Sequence, residues 1–515
     1  MAFQKYHGDV EKGPESGESY HTEEGAVPGE SFESGNTMYA KIQRLAGKLH
    51  VEQRGIERVP EDERHDTSYL NVGTMWLSCN MVVSSFAIGL LAQALFGLGF
   101  TDACLVCFFF NLLGVAPVCY FSTFGPRFGL RQMVLSRFWF GYHGVKLIAV
   151  FNVLACLGWS SINVIVGAEL IHAVNNDVPG YAGIIIIAVC TLLITFFGYN
   201  IVHTYEFWSW IPTSIVFLIT LGVFAHSGAF VVIPMGAGIS ELGACLSFGS
   251  VIYGFATGWA SYAADYTVYQ PPTQSRTKIF FCVWTGLMIP LLFCEMLGIA
   301  LMTATTIDNG NNRYMAGYEH SKTGGILAAV LFPPLGGFGK FCLVVLALSI
   351  VANNCPNIYS VGLTMQVLGR WTQRVPRFVW TTVGTAVYIA VAIPGYEHFE
   401  VVLENFMNFI GYWLAIYEGV ALSDHFLYKR SMRAYNPAHY DQPEKLPPGI
   451  AAVFAFCCGI AGMVVGMSQV WFIGPVAKHA GELPFGGDVA FELGFSCAFG
   501  SYAVARYFEL KYFGR

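Results

Sequence analysis

Two short stretches place polar side chains where an otherwise apolar sequence does not favour them. In "LACLGWSSINVIVGAEL", residues 154–170, Trp159 and Asn163 stand four apart, with Ser160 beside the tryptophan. On a helix they project from one face. In "SIVANNCPNIYS", Asn353, Asn354 and Asn357 surround Pro356, and Asn353 and Asn357 share a face. Such groups bind rather than break bonds: an aromatic plate stacks on a flat ring, and an amide offers a donor and an acceptor to one polar edge. A single buried asparagine also serves as a hydrogen bond between helices. Trp159 and Asn163 alone therefore leave both roles open. Three asparagines in one apolar segment exceed what helix pairing needs, and Pro356 predicts a distorted helix there, with freed carbonyls that only protein or a watery cavity satisfies.

The elements that must position these groups are membrane helices. The 515 residues are 54% hydrophobic and 12% charged, with a mean hydropathy of +0.51, far more apolar than a soluble chain. The apolar residues fall into blocks of roughly 20, enough for a helix to cross about 30 Å of hydrocarbon. Twelve blocks predict an all-α integral membrane protein with twelve transmembrane helices. The basic connections "GPRFGLRQMVLSRFWFGYHGVK", "QPPTQSRTK", "GRWTQRVPR" and "YKRSMR" follow the second, sixth, eighth and tenth blocks. By the positive-inside rule both termini are cytoplasmic. "TTIDNGNNRYMAGYEHSKTGG" then reads as an outward loop.

Residues 1–68 form a cytoplasmic tail ahead of the first block. Residues 1–37 are acidic and rich in Gly, Ser and Glu, a composition that cannot bury enough surface to fold alone. Residues 38–59 have helical apolar spacing suited to a membrane surface. A ten-helix core spans 69–428, a cytoplasmic loop 429–447, helices eleven and twelve 448–508, and a short cytoplasmic C-terminus 509–515.

Several function classes fall away. The fourteen cysteines lie within or beside the blocks, which argues against a disulfide framework or a zinc site. There is no phosphate-binding glycine loop, and no nucleophile–base pair or metal set that would make an enzyme. A net charge of -6 with dispersed basic residues gives no support to nucleic-acid binding. Arg127, Arg131 and Arg137 read as a topological anchor ahead of a phosphate site.

A pattern of irregularity links the halves. The sixth block, "GSVIYGFATGWASYAADY", is rich in Gly, Ala and Ser, holds Trp259 and leads to Asp265; the first has a matching weak point at "SCNMVVSS", with Asn80, Ser84 and Ser85. These lie five spans apart, as do the third and eighth spans with their asparagines. That is the footprint of a five-plus-five inverted repeat around a midplane site.

Four motifs in order, "GPRFGLRQMVLSRFWFG", "GWSSINVIVGAEL", "ADYTVYQPPTQSRTKIF" and "NNCPNIYSVGL", resemble the purine-cytosine permease branch of the nucleobase-cation symporter family, from about residue 60 onward. The resemblance implies the leucine-transporter fold, ten helices in an inverted repeat plus two extra. It implies that Trp159 and Trp259 sandwich a base and that Asn163 binds its polar edge. Asn357, or else Asn354, contributes from the eighth helix with Asn353 on the face of Asn357, and Ser85 lines the site. Hydantoin, uracil and allantoin carriers typically hold glutamine at the position of Asn163, so asparagine points to the purine-cytosine branch.

Sodium-coupled relatives carry adjacent hydroxyls where this chain has Val351 and Ala352, which turns the expectation toward protons. Asp265 and Glu295 are the candidates for proton coupling, ahead of Glu169, Glu404 and Glu418. The function implied is a proton-coupled symporter that imports adenine, guanine, hypoxanthine and cytosine across the plasma membrane without a cofactor. The alternatives are a carrier of another small heterocycle, such as a pyridine vitamin, allantoin or uracil, and a nontransporting nucleobase sensor.

Overall fold

Hydrocarbon offers a backbone no hydrogen bonds, so a lipid-facing segment must satisfy its own, and every apolar block in the computed structural model is helical. The structure describes residues 55–197 and 199–515. The expectations for residues 1–37, and for all but the end of the 38–59 segment, lie outside the described residues.

The first span is a bent pair, Tyr69–Asn80 and Val83–Ala94, with 49° between its halves. The second to fifth spans are Phe100–Ser122, Arg137–Val174, Gly180–Phe197 and Tyr199–Ser227. The sixth, Gly238–Thr257, passes into a 3-10 segment, Ala260–Tyr266. The seventh to tenth are Arg276–Thr303, Gly337–Val367, Arg377–Gly395 and Phe399–Ser423; Ile450–Gly466 and Ala490–Phe513 are the eleventh and twelfth. Among the described residues eight helices are long and apolar enough to cross a membrane, nine when the bent pair is one span. The tenth, eleventh and twelfth helices occupy the remaining three blocks.

Packing follows the order that the irregularities imply. The third span lies along the eighth, the first along the seventh, and the sixth against the second and tenth, while the eleventh and twelfth pair with each other. The sixth and tenth spans meet at Gly254, where a β-carbon would overlap the Met407 carbonyl oxygen. Gly141, at φ 74°, turns the loop after the second span into the third.

Four expectations need adjustment. The outward "loop" of residues 305–325 is largely helical: Asn312 caps the helix Arg313–Leu335 by accepting from the backbone N–H of Tyr314 and Met315, both at 2.9 Å. The eighth span stays one helix through Pro356, and the Asn357 amide donates to the Asn353 carbonyl beside it at 2.9 Å. Residues 55–68, assigned to the tail, pack on the loop after the second span: Ile56 and Val59 are buried, and Arg64 donates to the carbonyls of Val59, Pro126 and Phe128. At the other end the twelfth helix runs to Phe513, beyond residue 508.

Candidate substrate site

The first span breaks at Met81 and Val82, whose backbone leaves the helical region. The groups exposed by the break are taken up from the eighth span. Asn353 Nδ2 donates to the Cys79 carbonyl at 2.5 Å, and the Val83 N–H donates to Ser349 Oγ at 3.1 Å. Ser349 and Asn353 are one turn apart, so a single helical face seals the break. Within the first span Asn80 Nδ2 donates to the Trp76 carbonyl and Ser85 Oγ to the Asn80 carbonyl.

From this seal an amide network reaches the third span. Asn353 Oδ1 accepts from Trp159 Nε1 at 2.6 Å and from Asn163 Nδ2 at 2.7 Å. Ser84 Oγ donates to Asn163 Oδ1 at 2.7 Å. On the other side Trp259 Nε1 donates to Asn80 Oδ1 at 3.2 Å. Both tryptophans are thus tied to asparagines at or facing the break of the first span.

A cavity lies between the two tryptophans and the tenth span. It is lined by Trp159, Phe255, Trp259, Tyr262, Asn152, Asn357, Met407 and Ile410, among others. Its volume of about 20 Å³ is room for one water, so a flat heterocycle enters only when side chains such as Phe255, 5.2 Å from Trp159 between ring centroids, swing aside. The polar wall is Asn357 and Asn152. Asn357 Oδ1 accepts from Tyr262 Oη at 2.7 Å, and its Nδ2 donates to the Asn353 carbonyl at 2.9 Å. Asn152 accepts from Ser261 Oγ at 2.6 Å and donates to Thr364 Oγ1 at 2.8 Å.

Trp159, Trp259 and Asn357 therefore come together around one cavity, and Asn353 sits directly behind them. Asn163 and Ser85 do not line it: the amide of Asn163 is held by Ser84 and Asn353, and the Ser85 hydroxyl by its own span. Asn354 is not in the cavity wall and lies beside Tyr388 of the ninth span.

The carboxylates lie farther out. Asp265 accepts from the Gln132 N–H at 2.6 Å, its carbonyl accepts from Arg131 at 2.7 Å, and Arg131 donates to Tyr359 Oη at 3.0 Å. This latch joins the sixth span, the loop between the second and third spans, and the eighth span. Glu295 accepts from Asn111 Nδ2, between the seventh and second spans.

Sequence reasoning missed Asn152, Tyr262 and Glu206. Glu206, on the fifth span, is fully buried, and the Ser78 hydroxyl donates to its backbone carbonyl. Its carboxyl neighbours Cys79 at the break, Cys355 of the eighth span and the adjacent Tyr205. Neither oxygen accepts an N–H or O–H hydrogen bond among the described residues.

Residues 58–485 match the family model described as "Permease for cytosine/purines, uracil, thiamine, allantoin". The chain belongs to this permease family. It is 63% identical to the purine-cytosine permease fcyB of Emericella nidulans, over 98% of this chain and 99% of that one. It is 44% identical to the purine-cytosine permease FCY2 of Saccharomyces cerevisiae over 93% and 90%, and 31% identical to that organism's vitamin B6 transporter TPN1 over 92% and 90%. Among solved structures it resembles Mhp1, a nucleobase-cation-symport-1 family transporter in a closed conformation with bromovinylhydantoin bound: the TM-score is 0.66 at 16% identity, over 89% of this chain and 96% of that one. The permease thus has the leucine-transporter fold, ten helices in a five-plus-five inverted repeat followed by two more. The paired breaks in its first and sixth spans are the repeat's structural mark.

Proposed function

We propose that this permease imports purines and cytosine across the plasma membrane, with both termini cytoplasmic, by proton-coupled alternating access around the Trp159–Trp259–Asn357 cavity. The observation that carries the reading is that both tryptophans lining the cavity are hydrogen-bonded to asparagines at or facing the broken first span. A base stacking between the rings loads the same network that holds the break. Its polar edge competes with the Tyr262 hydroxyl for Asn357, so occupancy of the site and the sixth-span segment that carries Tyr262 are linked. Asn163, Ser85 and Asn353 act from behind, fixing the orientation of Trp159 and the shape of the break.

Glu206 is the best-placed proton carrier. An ionised carboxylate is costly in hydrocarbon, and this one, with the Cys79 thiol as its hydrogen-bond neighbour, abuts the break that must open and close. Asp265 and Glu295, each engaged by neighbouring spans or loops, serve as latches. The test of substrate class is a competition panel against radiolabelled cytosine in cells lacking their own permeases. Adenine, guanine and hypoxanthine compete, and pyridoxine, allantoin and uracil do not. Preferential uptake of a pyridine vitamin would replace this reading with the carrier alternative, and binding without uptake would replace it with the sensor.

A further inference from the structure

Two cavities away from the substrate site meet end to end. The first, of about 460 Å³, is lined by Arg127 after the second span, Arg276 at the start of the seventh, and Arg430 and Arg433 after the tenth, with no Asp or Glu in its wall. All four arginines are exposed, and none forms an ion pair with a carboxylate among the described residues. The fold gathers them: three separate segments converge, and Arg430 is held at φ 55° with its Nε donating to the Leu427 carbonyl at 3.1 Å. Arg131 and Arg137, which stand near Arg127 in sequence, are buried on protein partners and take no part. Four like charges around one hollow repel each other unless an anion joins them.

The second cavity, of about 530 Å³, continues into the membrane between the second, tenth and twelfth spans, walled by Leu113, Pro117, Leu422 and Phe495. It shares Tyr120 and Phe426 with the first. Two carboxyls border it: Glu418 is engaged by the hydroxyls of Tyr253 and Thr257, and Glu492 stands in the first turn of the twelfth helix. A basic cleft opening directly into an apolar intramembrane groove has the polarity of an anionic lipid: phosphate at one end, hydrocarbon at the other.

We propose that this composite site binds a phospholipid whose headgroup carries a phosphate monoester, drawn from the leaflet that the basic-loop asymmetry assigns to the cytoplasm. Arginine forks suit phosphate oxygens, and the groove beyond Phe426 takes an acyl chain. A free phosphate compound shares the headgroup chemistry but leaves the groove unused.

The full chain, reconstituted in phosphatidylcholine nanodiscs doped with phosphatidylinositol 4-phosphate, is extracted into detergent, and the retained lipid is counted by native mass spectrometry. The phosphoinositide is expected to be retained in preference to phosphatidylcholine. The double variant R127Q/R433Q should lose roughly 25-fold in relative retention, at about fivefold per charge, and Phe426→Ser should lose retention with all arginines present. Cytosine binding by the same preparations reports that the variants are folded. Equal retention of the two lipids, unchanged retention by R127Q/R433Q, or displacement by water-soluble inositol phosphate at the affinity of the intact lipid would overturn the proposal.

Discussion

Asn353 Oδ1 accepts hydrogen bonds from Trp159 at 2.6 Å and from Asn163 at 2.7 Å, so the residue that fixes the aromatic wall also fixes the neighbouring amide. Replacing Asn353 by alanine leaves the buried Trp159 N–H that sets the aromatic wall unpaired, at about 1 to 3 kcal/mol. Asn353→Ala should raise the apparent KM for cytosine roughly 5- to 150-fold, and surface labelling should still find the protein at the membrane. An unchanged KM would mean that the orientation of Trp159 is set elsewhere.

If Asn163 acts through Asn353, the two are not independent. The double variant N163A/N353A should then be little worse than Asn353→Ala alone, because residues in one network do not add. Asn163→Gln, which advances the same amide by one methylene, should change the order of preference among bases more than it changes abundance. Additive losses in uptake kinetics would place Asn163 in direct contact with substrate instead.

Tyr262 and the incoming base compete for Asn357 Oδ1. Tyr262→Phe removes the competitor, so the KM for cytosine should fall about 2- to 12-fold, the worth of one ordinary hydrogen bond. Asn357→Ala should abolish saturable uptake. A rise in KM in Tyr262→Phe would show that the hydroxyl binds the base directly.

The framework of this site was legible in the sequence because hydrocarbon penalises polar groups. Twelve apolar blocks marked the helices, and Trp159, Trp259, Asn353 and Asn357 stood out against them. Glu206 did not. The stretch "NIVHTYEFWSW" is polar enough to resemble a loop, yet the fifth span begins at Tyr199, with Glu206 and Ser209 buried or half-buried beside the first span. Protein-facing polarity lowers hydropathy without ending a helix. Asn152 was missed for the opposite reason: a lone asparagine in an apolar helix carries no sign of whether it meets a cavity or a neighbour, and this one meets both. The direction of Asn163 depends on where the eighth span lies, which spacing within one helix does not state.

Glu206→Gln keeps the volume and a polar head but cannot release a proton. The variant should bind cytosine, exchange internal for external label, and lose the dependence of uptake on external pH. Asp265→Asn, by weakening the latch to Gln132, should alter the maximal rate and keep the pH dependence. Retained pH dependence in Glu206→Gln, with sodium still without effect, would assign the proton to another group and leave proton coupling intact.

The most direct test is cytosine accumulation by the purified chain in proteoliposomes, with an imposed proton gradient, acidic on the side of entry, and no sodium. The account predicts uptake above equilibrium that collapses with a protonophore, falls as the external pH is raised, and is lost in Asn357→Ala. Accumulation that requires sodium and ignores the proton gradient, or that survives unchanged in Asn357→Ala, would contradict it.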